Sequence, residues 1–293
     1  ATATAAAAAA AAPSAAARTP SSLSAFMSPI AFGHRHWELV QYISLGVHRA
    51  LAEANAVDVA VLADADYARV VELQMGGAWT FTDFAPHAFR HLRRLFGIAD
   101  AEYLHSLGIM RMFGALLCGA LSLFVGVATT GRSNSFFLRS PDGHYLLKSL
   151  DADEHALLRR LLPSYVAHAE RNPDSLLTRF CGLHTVADAS GRRRYVFVVM
   201  TNILDSRLAT HEQYDLKGST VNRSVDAVSD GMLDASIARK DRDFQRKIHV
   251  GAAKKALLLE QIERDCKWLE SHNISDYSLL VGIHHERSRP AAR

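Results

Sequence analysis

Val40, Ile43, Val47 and Leu51 recur at helical spacing and predict an amphipathic helix just after the folded sequence begins, near His34. Phe89, Leu92 and Phe96 form a second stripe, with Asp83 or a neighbour as its cap and Gly97 as its end. SFFLRS and HYLLKSL flank Pro141-Asp142-Gly143, which predicts strand, turn, strand. Pro141 and Asp142 start that turn and Gly143 relieves it. Leu157, Leu161 and Tyr165 share one side of a helix over Asp151–His168. Leu176–Val186 reads as a strand, and the near-continuous apolar run Tyr195–Met200 as a strand buried on both faces. Leu258, Ile262, Cys266 and Leu269, flanked by Asp265 and Lys267, predict a helix that His272 and Asn273 close. An apolar strand, Leu279–Ile283, follows.

Two stretches break the pattern. Residues 1–30 are mostly Ala, Ser, Thr and Pro, with too few apolar side chains for a core, and read as a disordered tail. They are poor in acid and rich in Ser like a transit peptide, but carry a single Arg, Arg18. Met112–Thr129 has no charged residue and as a helix would be roughly 27 Å long, the short end for a membrane span. The segment reads first as a buried or surface-lying insertion, ahead of an error in the gene model and of a true span.

Composition and charge narrow the picture. Hydrophobic content of 49% with 22% charged residues is that of a soluble globular protein, and 293 residues suffice for one large core or two lobes. A net charge of +3 gives no global attraction to nucleic acid. The positive charge is clumped at Arg90, Arg93 and Arg94, at Arg192 to Arg194, at Arg239, Lys240 and Arg242, and at Arg246 and Lys247. Such clumps are ordinarily solvated faces. Against anionic lipid each residue would add about 1 kcal/mol. Cys118, Cys181 and Cys266 are too scattered for a disulfide framework or a zinc site, which points to a reducing compartment.

Candidate chemistry gathers around Tyr214–Arg223, YDLKGSTVNR. Gly218 lets backbone approach a ligand closely. Lys217 is a mobile point charge suited to phosphate oxygens, and Asp215 can orient a polar group or hold a cation. In isolation the string is a polar surface loop. Asp276 precedes the apolar strand Leu279–Ile283. A carboxylate there is held firmly yet exposed, as a group that orients an attacking hydroxyl must be. Gly131 opens a loop before the hairpin whose second strand carries Lys148, the arrangement with which kinases cover ATP and grip its phosphates. Glu154 is placed either to pair with Lys148 or to cap the next helix. Asp241–Phe244, DRDF, reads as a loop packing device.

YDLKGSTVNR resembles the DLKGS signature of the phosphatidylinositol phosphate kinases, and DYSLLVGIHH at Asp276–His285 resembles a second signature of that family. Two such strings in order are specific. The likeness spans roughly Phe32–His285, and FCGLHTV and SDYSLLVGIHH are most similar to plant and algal phosphatidylinositol 4-phosphate 5-kinases. Asn134 stands where the family has Gly, and Ser275 where it has Met.

The resemblance implies an α+β, two-lobed, protein-kinase-like fold. It implies a tail at 1–30, an N-terminal lobe at 31–204 with the insertion 112–129, and part of a C-terminal lobe at 205–293. The implied reaction moves the ATP γ-phosphoryl group to the inositol ring of phosphatidylinositol 4-phosphate, with Mg²⁺ required. Asp276, Lys217 and Asp215 would be catalytic, with Asp276 receiving the hydroxyl proton. Gly131, Ser133, Ser135, Lys148, Glu154, Met200 and Asn202 would bind the nucleotide, Met200 and Asn202 as the hinge that meets adenine. The implied partner is phosphatidylinositol phosphate in an anionic membrane, met peripherally at its cytosolic face. The family's metal-holding Asp lies in an Ile-Ile-Asp segment, followed by an activation loop, and neither string occurs in these 293 residues. The expectation is therefore one of two: an incomplete stretch of an active kinase, with little activity alone, or a nucleotide- or lipid-binding module without turnover.

Overall fold

A computed structural model describes residues 2–8, 27–30, 32–34, 36–56, 59, 61–124, 136–205, 208–225 and 238–285, with backbone alone at 2–8, 27–29 and 122–124. Its contacts divide the chain into a larger unit, Pro13–Pro173 with Arg179–Asn202, and a smaller unit, Ala1–Ala12, Asp174–Thr178 and Ile203–Arg293.

The smaller unit begins with β1 (Thr2–Ala8), and the larger with β2 (Met27–Pro29) and α1 (Trp37–Asn55). The larger unit continues through α2 (Asp64–Ala68), β3 (Val70–Gln74), β4 (Trp79–Phe84), α3 (Pro86–Leu95), α4 (Asp100–Leu107), α5 (Ile109–Leu117) and β5 (Ser122–Phe124). It closes with β6 (Phe137–Arg139), β7 (Tyr145–Ser149), α6 (Ala152–Arg171), β8 (Phe180–Asp188) and β9 (Arg194–Thr201). Its strands form one eight-stranded antiparallel sheet in the order β2-β5-β6-β7-β9-β8-β4-β3. The α1 stripe is its main lid: Val40, Ile43, Val47 and Leu51 are all buried against sheet residues such as Phe81 and Phe197. In β9, Phe197, Val198 and Val199 are buried on both faces, as the apolar run requires.

Two expectations for this unit change, and the reading of Met112–Thr129 as a buried insertion gains its fold. Asp83 does not cap α3. It lies one residue before the end of β4, facing buried His184 at 3.1 Å, while Ala85 (φ 49°) occupies the cap position ahead of Pro86. The uncharged stretch Met112–Thr129 is not one helix. The chain leaves α5 at Leu117, turns through Gly119 at φ 65° and enters β5, while residues 125–135 lie outside the described set. Met112, Leu116 and Leu121 are fully buried, so the apolar content serves this unit's core. Among the described residues no helix is long and apolar enough to cross a membrane. Of the first basic clump only Arg94 is exposed. Arg93 is buried, donates to the Cys181 carbonyl at 2.9 Å and pairs with Asp100 at 3.2 Å, and Arg90 reaches the same carboxylate.

In the smaller unit, β10 (Glu212–Leu216), β11 (Ala238–Arg239), a 3₁₀ turn (Asp241–Asp243), α7 (Ala252–Ser271) and β12 (Ser278–His284) follow β1. The sheet order is β1-β12-β10-β11. β1 corrects the reading of a wholly disordered tail. A strand ladder is made by backbone N–H and C=O groups, so an alanine run can pair without bringing a core of its own. On α7 the buried line is Gln261, Asp265 and Leu269, with Leu258, Ile262 and Cys266 only half-buried. Asp265 lies inside because Ser175 Oγ, the Leu176 N–H and Gln261 Nε2 all donate to it, at 2.7–3.0 Å.

Helix α1 crosses the larger sheet at Gly46, where a Cβ would overlap the Phe81 ring. Gly46→Ala should therefore destabilise the larger unit by about 2 kcal/mol through overpacking, outweighing the helix propensity it gains. Denaturant unfolding checks this, and unchanged or increased stability would show that the overlap relaxes freely.

Candidate catalytic site

Strand register decides which side chains meet. Leu216 lies opposite Leu279 and Tyr214 opposite Val281, so the end of β10 meets the mouth of β12. Lys217 follows β10 directly, and Asp276 precedes β12 by two residues. Although 59 positions apart, the two meet: Lys217 Nζ donates to Asp276 Oδ1 at 2.5 Å. Beneath them Tyr214, Val281 and Ile283 form a small buried core, with Leu216, Leu279 and Phe244 against it. The pair itself stays accessible, since the Asp276 side chain is 48% exposed. Asp276 takes a left-handed backbone conformation, φ 62°, which Asp tolerates better than most residues.

The loop that carries Lys217 is tied down by the DRDF string, whose role extends beyond packing. Asp241 Oδ1 accepts the backbone N–H groups of Lys217 at 2.9 Å and Gly218 at 2.7 Å, and its Oδ2 accepts Arg223 Nε at 2.7 Å. Asp243 accepts the N–H groups of Lys240 and Val225 and the Ser224 hydroxyl. Phe244 does pack, edge-on against the Tyr214 ring. Burial alone would raise the Asp241 carboxyl, but the Arg223 guanidinium and the amides of Gly218 and Lys217 outweigh it and hold the group below its ordinary value. Nothing in the string DRDF announces these partners, because most of them are backbone groups.

Asp215 belongs to the same cluster through Arg223, which pairs with Asp215 Oδ2 at 3.3 Å and also reaches the Asp215 carbonyl. Its Oδ1 is buried without a hydrogen-bond partner. Mg²⁺ usually takes one or two carboxylates together with phosphate oxygens and water. These residues fit it poorly. Arg223 holds the other Asp215 oxygen and the Asp241 and Asp243 oxygens are all engaged by donors, which leaves Asp215 Oδ1 as the one oxygen of these three carboxylates without a donor.

At the other end of β10, Glu212 is a second anchor. Burial pushes its carboxyl up, yet bonds from Tyr214 and His285 and the charges of Arg246 and Arg239 hold it below the ordinary range. Arg239 and Arg246 each donate to it at 2.8 Å. Two more members of the basic clumps are thus spent on internal pairing.

Lys148 lies in the larger unit, on β7 between Phe137 of β6 and Val198 of β9. Its Nζ donates to Glu154 Oε1 at 2.9 Å. Glu154 also closes the α6 capping box, since its Oε2 accepts the Asp151 N–H at 3.0 Å while the Asp151 carboxylate accepts the Glu154 N–H. Pairing and capping, read as alternatives, are both present. Met200 is flanked on the sheet by Leu146 and Phe180. The N–H groups of Thr201 and Asn202 donate to the carbonyls of Arg179 and His144, and the Asn202 side chain to the Gly143 carbonyl. The Thr201 and Asn202 N–H groups at the expected hinge are therefore engaged within this unit. Gly131, Ser133 and Ser135 lie outside the described residues, as does Asn134.

A family model described as Phosphatidylinositol-4-phosphate 5-Kinase matches residues 121–293, which hold the Lys148–Glu154 and Lys217–Asp276 pairs. A probable phosphatidylinositol phosphate kinase of Dictyostelium discoideum is 43% identical over 73% of this chain and 29% of its own length. A phosphatidylinositol 4-phosphate 5-kinase of Plasmodium falciparum is 32% identical over 87% of this chain and 15% of its own length. Phosphatidylinositol 4-phosphate 5-kinase 9 of Arabidopsis thaliana is 32% identical over 86% of this chain and 31% of its own length. The chain thus spans less than a third of each of these relatives. With the matched residues covering more than half of the chain, it belongs to the phosphatidylinositol-4-phosphate 5-kinase family of lipid kinases.

Proposed function

We propose that the protein transfers the γ-phosphoryl group of ATP to a ring hydroxyl of phosphatidylinositol 4-phosphate, giving phosphatidylinositol 4,5-bisphosphate. The observation that carries this reading is the 2.5 Å contact between Lys217 and Asp276, an ammonium and a half-exposed carboxylate brought together by strand register. The Asp276 carboxylate takes the proton of the attacking hydroxyl. That oxygen forms the new bond to the γ-phosphorus as the bond to the bridging oxygen breaks, and ADP leaves with the electron pair. Lys217 supplies positive charge to the phosphoryl oxygens. In this chemistry catalysis is mostly positioning and charge neutralisation.

Lys148 contacts the nucleotide phosphates, oriented by Glu154, which the capping box in turn fixes. Adenine lies against the side chains at the end of β9, Met200 and Asn202, because the nearby N–H groups are committed elsewhere. No step is assigned to Mg²⁺, since the Asp241 and Asp243 carboxylates near Lys217 are engaged by donors. The protein meets its lipid peripherally. The clumps at Arg192 and Arg194 and at Lys247 carry more of that contact than Arg90 or Arg93, which point into internal pairs.

Radiolabelled phosphate transfer from ATP to phosphatidylinositol 4-phosphate vesicles tests the reading on the full-length gene product. Asp276→Asn, which keeps the residue's tolerance of φ 62°, should cut turnover about 10²- to 10⁴-fold, the usual contribution of a positioned general base. Turnover that survives this change intact would remove Asp276 from the proton transfer. ATP binding without any transfer by the wild type would favour a nucleotide-binding module instead. Separately, Lys148→Met should weaken binding of a fluorescent ATP analogue at least about tenfold. Equal affinity in the two proteins would show that Lys148 serves only the fold.

A further inference from the structure

The loop Lys217–Val225 has no regular structure, yet the segment Lys240–Asp243 holds it at both ends, at Lys217 and Gly218 and from Asn222 to Val225. Besides the Asp241 bonds to Lys217, Gly218 and Arg223, the Arg242 N–H donates to the Arg223 carbonyl at 2.9 Å and Lys240 Nζ reaches the Asn222 carbonyl at 3.4 Å. Asp243 completes the set on Ser224 and Val225. The core beneath, Tyr214 with Val281 and Ile283, already joins β10 to β12 without these bonds. Their effect falls on the residues after β10, beginning with the one whose ammonium meets Asp276.

The geometry matters most at Asp241. One of its oxygens accepts two consecutive amides, those of Lys217 and Gly218, and Gly218 stands at φ 70°. Two adjacent N–H groups converge on one acceptor only if the backbone bends back there, so the carboxylate selects that bend. Its second oxygen holds Arg223, which grips Asp215 on β10. The turn is thereby fastened at both ends to the strand that presents it. Lys217 is a long side chain with several rotatable bonds. Fixing its Cα at the strand end is what limits where its ammonium can go.

We infer that Asp241 is a positioning residue for the transfer reaction: by clamping the Lys217 and Gly218 amides it sets the Lys217 ammonium against Asp276. The inference rests on the lipid kinase reading above for its consequence in turnover, but not for its geometry. Asp241 has no direct role toward substrate. Its carboxylate is already engaged by three donors. Its effect on turnover should therefore run through the placement of Lys217.

A double-mutant cycle on the full-length gene product, read with amide hydrogen exchange, tests this. Asp241→Ala should lower turnover on phosphatidylinositol 4-phosphate vesicles about 10- to 100-fold, as loss of a partner behind a functional group commonly does, with the KM for ATP little changed. In a Lys217→Ala background the same substitution should have almost no further effect. Asp241→Asn keeps an acceptor for the two amides but turns a donor toward Arg223, and should fall between wild type and Asp241→Ala. Exchange at the Lys217 and Gly218 amides should speed up in Asp241→Ala while Tyr214 and Val281 stay protected, which separates a released turn from an unfolded unit. Additive losses in the cycle, or unchanged protection of the two amides, would overturn the inference. If the wild type transfers no phosphate, the kinase reading fails, and the exchange result alone decides whether Asp241 holds the turn.

Discussion

The antiparallel register of β10 with β12 is the constraint on which the candidate site depends. Because side chains alternate with a period of two, the pairing that buries Tyr214, Val281 and Ile283 is the same pairing that ends with Lys217 beside Asp276. A slip of one residue would turn Tyr214 outward and draw the ammonium away from the carboxylate. Burial and site geometry are therefore one condition.

Charged groups in both units are held by the same means. Buried or half-buried carboxylates collect N–H donors and guanidinium groups: Asp241 in the loop clamp, Glu212 at the far end of β10, Asp265 beneath the segment at Ser175, and Asp100 under Arg90 and Arg93. Each satisfies donors that would be costly to leave unpaired. Much of the clumped positive charge is consumed inside, and fewer arginines are left for a membrane face than a count along the chain implies. Asp276 differs from these carboxylates in remaining about half exposed.

How far the fold and site were legible in the sequence follows from what each element depends on. Helix α1, the β6–β7 hairpin and strands β9 and β12 were readable because apolar periodicity and turn residues specify them locally. The Lys217 and Asp276 motifs were readable as residue types, and the register that unites them was not. Asp241 and Asp265 were missed for one reason: their partners are amides and side chains tens of residues away, and an Asp in a polar string looks like any surface Asp. In Met112–Thr129 the absence of charge pointed to a buried segment but not to how it is folded. In this chain Gly119 breaks it between a short helix and a strand. The strand Thr2–Ala8 left no trace in the pattern, since alanine carries neither period.

The central claim is that the Lys217 ammonium, placed by strand register, works on the phosphoryl group being transferred. The most direct measurement is a solid-state NMR distance between the γ-phosphorus of a bound non-hydrolysable ATP analogue and the lysine side-chain nitrogens, with Lys217→Arg used to assign the signal. The account predicts that a lysine nitrogen other than that of Lys148 lies close to the γ-phosphorus, and that its signal disappears in this variant. A fully bound nucleotide whose γ-phosphorus couples to the same lysine nitrogens in the wild type and in Lys217→Arg would contradict it.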